Sequence, residues 1–144
     1  MMFLYVETYK KELQLLVISL FISCIIIASI KFIYYRLSKK EFDNFYQNYV
    51  ENNHPVPFFV VVADNFNFIG ISLKAQWFRW ILNNRKIKLT RGVWMHKNTY
   101  EFVQATASDK LQRWIRNDFR LLMLQGAILI LMCILIYFIN NTKS

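Results

Sequence analysis

Acid–base, metal or phosphate chemistry requires particular side chains to converge, and this chain offers few of them. Its two histidines, His54 and His96, stand far apart, with no cysteine or carboxylate pair beside either. A metal site needs three or four converging ligands. This spacing provides no such set, and both histidines read as turn or surface residues. The two cysteines, Cys24 and Cys133, each lie inside an apolar run and read as small apolar side chains, not as a disulfide framework. The three glycines, Gly70, Gly92 and Gly126, are too dispersed for a phosphate-cradling loop. No serine sits in a nucleophile-elbow context. The expectation is a protein that is not an enzyme and uses no metal or cofactor.

What the sequence concentrates is positive charge and aromatic surface. It has 18 Lys and Arg against 9 Asp and Glu, a net charge of +9. Residues 65–98 hold seven basic residues (Lys97 among them), no acidic ones, and three of the four tryptophans. Tryptophan mixed with lysine and arginine is the composition of an interfacial helix on anionic lipid. A second basic group precedes the C-terminal apolar run. The candidate binding set is Lys74, Trp77, Arg79, Trp80, Arg85, Lys86, Lys88, Arg91, Arg113, Arg116 and Arg120, facing anionic lipid headgroups or a membrane-protein partner. The competing reading makes the aromatics the core of a small domain and the charges its wet face. Nucleic acid is set aside, because no recognition motif accompanies the charge.

Two apolar runs must position these residues. Leu13 to Ile30 is eighteen residues without a charge, and the apolar character continues past Lys31 to Tyr35. That length suits a transmembrane helix. It exceeds the apolar core of about 7–15 residues in a signal peptide, so a retained anchor is expected. Lys31 can lead its charge toward the headgroups, and Tyr34 and Tyr35 sit where interfacial aromatics belong. Leu121 to Ile139 is nineteen residues with Gln125 as its strongly polar member. Backbone in hydrocarbon must satisfy its own hydrogen bonds, so both runs must be helices. Neither holds an ionisable residue at mid-depth, which argues against a transport path. Ser19, Ser23 and Ala28 form a weak small-residue stripe for helix packing.

Flanking charges orient the chain. Lys31, Arg36, Lys39 and Lys40 on the loop side of the first span face Lys10 and Lys11 outside. Lys110, Arg113, Arg116 and Arg120 face Lys143 at the second. The expected topology is a multi-pass inner-membrane protein with a cytoplasmic loop and both termini outside. The expected segments are a tail at 1–12, a span at 13–35, a basic aromatic-rich segment at 36–118, a span at 119–139 and a tail at 140–144.

The fold class is therefore mainly α and membrane-bound, with two spans flanking a small, mostly helical cytoplasmic domain. Ser38-Lys39-Lys40-Glu41 matches a capping box, followed by Phe42, Phe45, Tyr46, Tyr49 and Val50 on one helical stripe. Asn52 to Pro57 is turn-rich. Phe58–Ala63 suits a short strand or the start of a helix, and periodicity does not decide. A helix is expected over Ile71–Leu82, beginning near Ser72. Asn98-Thr99-Tyr100-Glu101 is a second capping-box match, and the absence of Gly and Pro between 93 and 125 predicts an unbroken helix running into the second span.

Trp77-Phe78-Arg79-Trp80-Ile81, Glu101-Phe102-Val103 and Leu111-Gln112-Arg113-Trp114-Ile115-Arg116 leading into Phe119 resemble small bacterial inner-membrane proteins of the universal stress protein B type. The resemblance covers roughly the last half of the chain and is mostly architectural; this chain is longer. It implies an inner-membrane protein tied to stress and supplies no catalytic residues. Two other roles fit the same features: an immunity or exclusion protein against a membrane-active toxin, and an accessory subunit of a transport or secretion complex. Oligomeric state is not encoded in any pattern here.

Overall fold

The computed structural model describes residues 1–142. Lys143, used above for orientation, lies outside the described residues. Among the described residues the chain is mainly helical, with five α-helices: α1 Met2–Glu51, α2 Phe58–Ala63, α3 Asn67–Leu82, α4 Lys97–Thr106 and α5 Asp109–Asn141. It divides into two units. One comprises Met1–Lys31 and the chain from Leu121 onward; the other is Phe32–Arg120.

In the first unit, α1 and α5 each contribute a helix long and apolar enough to cross a membrane. Their most apolar windows have a mean hydropathy of 2.6, yet only 11% and 6% of those windows is buried. A core helix of a water-soluble protein would be mostly covered. These two leave leucine, isoleucine and phenylalanine side chains exposed over most of their surface, the pattern expected of helices that face lipid. The more shielded positions recur at alternating spacings of three and four: Val17, Leu20, Cys24 and Ile27 on α1, and Gln125, Ile128, Met132 and Leu135 on α5. That spacing puts them on one stripe of each helix. Of the small-residue stripe, Ser23 and Ala28 are partly shielded while Ser19 is exposed. Ser23 donates its hydroxyl to the Ser19 carbonyl and Ser29 to the Ile25 carbonyl, both at 2.9 Å. Both hydroxyls are thereby satisfied within the helix itself. Lys31, expected to reach outward, is buried. The stretch 1–12 is helical from Met2, not an irregular tail.

In the second unit, the capping box at Ser38 is not used. α1 passes straight through it, and Ser38 is a buried residue in mid-helix. Helix already present on the N-terminal side leaves no orphan N–H groups for Ser38 to cap. Phe42, Phe45 and Tyr49 are buried as the stripe predicts, while Val50 is exposed. Phe58–Ala63 is helix, and no strand occurs among the described residues. α3 begins at Asn67, a turn earlier than expected. Its Phe68 ring lies 6.0 Å from Phe32 and 5.3 Å from Tyr35. Ten residues on, Phe78 meets Phe42, Phe45 and Tyr49 at 5.8, 4.8 and 5.0 Å. α3 therefore runs beside α1 in the same direction.

The expected unbroken helix from 98 divides at Ala107-Ser108. Ser108 caps α5 by accepting the N–H of Leu111 at 3.1 Å, with Asp109 in the first turn. The match at 98–101 is not used either: α4 begins at Lys97, with His96 at the N-cap position and no side-chain cap bond. Thr99 is buried and its hydroxyl lies 3.0 Å from His54 Nδ1. From Asp109 onward the helix does run without a break into the second apolar run.

Candidate functional site

The sequence grouped eleven residues as one binding surface. Their positions in the fold divide them into three sets.

The first set is structural. Trp77 is 2% exposed, wedged among Phe59, Trp80 and the Tyr49 hydroxyl. Trp80 is half-buried, 6.1 Å from Phe59. Lys74 is ion-paired with Asp64, and its ammonium sits 4.4 Å from the Tyr46 ring. Arg79 lays its guanidinium 3.5 Å over Phe119 and donates from Nε to Gln76 at 3.0 Å. Burial, and then the charge of Arg85, lower Arg79 below the ordinary guanidinium value. For Trp77 and Trp80 the core reading applies; Lys74 and Arg79 rest on aromatic rings and not on a wet face. The sequence leaves both readings open because α3 carries apolar residues around most of its girth and does not mark which side faces α1.

The second set is a hairpin. α3 ends at Asn83-Asn84; Asn84 has φ 52°, and Arg85 N–H returns to the Trp80 carbonyl at 3.0 Å. Asparagine is one of the few residues that accept this left-handed position at a helix end. Ile87 and Met95 pair at 3.0 Å and Leu89 and Val93 at 2.7 Å, around a 3-10 turn at Thr90–Gly92. Gly92 there has φ 80°. Tyr100 pins the hairpin to α4: its hydroxyl accepts the Ile87 N–H at 3.2 Å and donates to the Arg85 carbonyl at 2.7 Å. Arg85, Lys86, Lys88 and Arg91 all point to solvent here. Lys97, at the start of α4, is exposed as well. Val93 and Trp94 are exposed at 55% and 58%, with the Lys88 ammonium 5.7 Å from the Trp94 ring. An open groove of about 650 Å³ runs beside it, lined by Lys86, Ile87, Trp94, Lys97, Tyr100 and Glu101. The alternation of Ile87-Lys88-Leu89 with Val93-Trp94-Met95 about a Gly was a legible hairpin signal that the attention to charge passed over.

The third set is Arg113, Arg116 and Arg120 on α5, all exposed. On α1, Arg36, Lys39 and Lys40 are exposed too; Arg36 and Lys39 lie over the Phe32 and Tyr35 rings at 5.5 and 5.9 Å. These residues flank the apolar runs in sequence.

Sequence reasoning also missed a joint between the end of α1 and α4. His54 stacks 5.2 Å from Tyr49 and 4.4 Å from Phe102. Burial lowers its pKa. Among the described residues, no three His, Cys, Asp or Glu side chains are grouped to hold a metal. Comparison with protein-family models, with curated proteins and with solved structures finds no match.

Proposed function

We propose that this chain is a non-enzymatic, two-span membrane protein. It holds a folded basic unit at the cytoplasmic face of an inner membrane, where α5 arginines engage anionic headgroups and the hairpin engages an acidic membrane-protein partner. The observation that carries the reading is that the exposed cations fall into two separate sets, each beside exposed aromatic or apolar surface.

Arg120, Arg116 and Arg113 stand one, five and eight residues before the second apolar run at Leu121, on the same unbroken helix. Cations at that level gain about 1 kcal/mol each from an anionic surface. The hairpin differs. It follows the C-terminal end of α3, beside the Glu51 end of α1. Tyr35 to Glu51 measures roughly 24 Å along a helix axis, against a screening length of about 8 Å in physiological salt. Cations that far along α1 from Tyr35 gain little from the headgroups there. Exposed Trp94 and Val93 among four cations, with a groove alongside, suit an acidic protein surface better.

The test reconstitutes the full chain into nanodiscs of mixed phosphatidylcholine and phosphatidylglycerol and counts retained lipids by native mass spectrometry. The wild-type chain is expected to enrich phosphatidylglycerol, and R113Q/R116Q/R120Q to lose the enrichment. Equal retention by both proteins would remove the lipid half of the proposal.

A further inference from the structure

The corner between α2 and α3 is a separate apolar feature that the basic set does not include. Phe66, Ile69 and Leu73 are exposed at 52%, 68% and 40%. They succeed one another at spacings of three and four residues and so share one side of the corner and the first turns of α3. Charge on this side is cancelled locally, because Asp64 is paired with Lys74. Asn65 and Asn67 flank Phe66 and are exposed and uncharged.

The corner is a built feature. Gly70 is buried, and a Cβ there would overlap the carbonyl oxygen of Ala63. The two helices approach as closely as their backbones allow. Next to Ile69, Phe68 packs on Phe32 and Tyr35. Those two residues belong to the last turn of the first apolar run. Arg36 and Lys39 lie over the same two rings. Through Phe68, the turn that carries the exposed side chains thus packs against the end of the first apolar run, and apolar side chains on such a turn have the composition of a shallow interfacial anchor.

We infer that Phe66, Ile69 and Leu73 insert into the headgroup–acyl boundary of the same leaflet, giving the unit a third lipid attachment between its two spans. The occupant of this apolar face is lipid, not a protein. The inference rests on the reading of α1 and α5 as spans. It is independent of the arginines and of the hairpin.

Spin labels on single cysteines test it, with the full chain in proteoliposomes and Cys24→Ala and Cys133→Ala as background. Labels replace Phe66, Ile69, Phe58, Leu16 and Ile130 in turn. Phe58 is the control: it is exposed at 82%, yet stands at the opposite end of α2 from the corner. Labels at 66 and 69 are expected to collide with oxygen several-fold more than with a water-soluble nickel chelate, and the label at 58 to show the reverse. Nickel access at 66 and 69 equal to that at 58 would overturn the insertion. Loss of access to both reagents at 66 and 69 would also overturn it, because a protein would then cover the face. Nickel access at 16 and 130 would overturn the spans themselves, a failure separable from the other two.

Discussion

Tyr49 accepts the indole N–H of Trp77 at 3.4 Å. The same phenol donates to the Pro55 carbonyl at 2.6 Å. One fully buried side chain thus ties the end of α1 to the middle of α3 and to the turn that follows. Tyr49→Phe keeps the ring and deletes both bonds, leaving a buried indole N–H and a carbonyl short of partners. The expected cost is about 1–3 kcal/mol, read as a lower urea midpoint in the tryptophan fluorescence of the detergent-solubilised chain. An unchanged midpoint would mean that this tie carries no stability.

The same residue sets an alkaline limit. Burial pushes the Tyr49 phenol up to about 12. Its unfolded value is near 10. A group whose folded pKa is raised contributes stability that is complete below the unfolded value and is lost as pH rises through the folded one. The wild-type chain should therefore lose stability between pH 10 and about 12. Tyr49→Phe should lose less over that interval in parallel denaturation curves.

His54 works in the opposite direction. Burial between Tyr49 and Phe102 lowers its pKa, so the native state favours neutral imidazole. Stability from this source is present above the unfolded value, near 6.5, and is lost as pH falls through the folded value. The wild-type urea midpoint should decline as pH falls below that value. His54→Phe, which keeps an aromatic ring between the same neighbours, should decline less. Parallel curves for the two proteins would contradict the assignment.

Gly70 and Gly126 make a matched pair. Gly70→Ala drives a methyl into the Ala63 backbone, and overpacking of this kind costs about 1–3 kcal/mol. Gly126→Ala meets nothing within 4 Å. It gains helix propensity of up to about 1 kcal/mol. Thermal melts of the two variants should shift in opposite directions.

The division of the basic set has its own test. K86E/K88E/R91E alters only exposed side chains and should leave the urea midpoint within about 0.5 kcal/mol of wild type. Lys74→Ala removes a cation seated between Asp64 and Tyr46 and should cost about 1 kcal/mol. Cross-linking from a photoreactive residue at Trp94 to an acidic partner should fail in the triple variant and persist in Lys74→Ala.

Some of this was legible before any coordinates. The two long apolar helices were, because eighteen uncharged residues in a row admit few alternatives. Burial of Phe42, Phe45 and Tyr49 followed from their 3.6-residue spacing. The failures share a cause: local signals were read without knowing what lay next to them. Ser38 matched a cap but sits within helix continuous from Met2. Ser108, an equally ordinary serine, is the one that caps. Trp77 reads two ways in the sequence, as core or as a lipid-facing aromatic, because Lys74 and Arg79 beside it suggest a wet helix; at 2% exposure it is core. Both of those cations turn out to rest on aromatic rings. Phe58–Ala63 is too short for its period to distinguish helix from strand; it is the helix α2, packed against α3.

The claim on which the rest depends is that α1 and α5 thread the bilayer and leave residues 36–118 on one side. The direct measurement is labelling of intact cells with a membrane-impermeant thiol reagent, using single cysteines at Glu7 and Asn84 in the Cys24→Ala, Cys133→Ala background. The account predicts that position 7 reacts in intact cells and position 84 reacts only after lysis. Reaction at 84 but not at 7 would reverse the sidedness. Recovery of the labelled chain in the soluble fraction without detergent would contradict the threading.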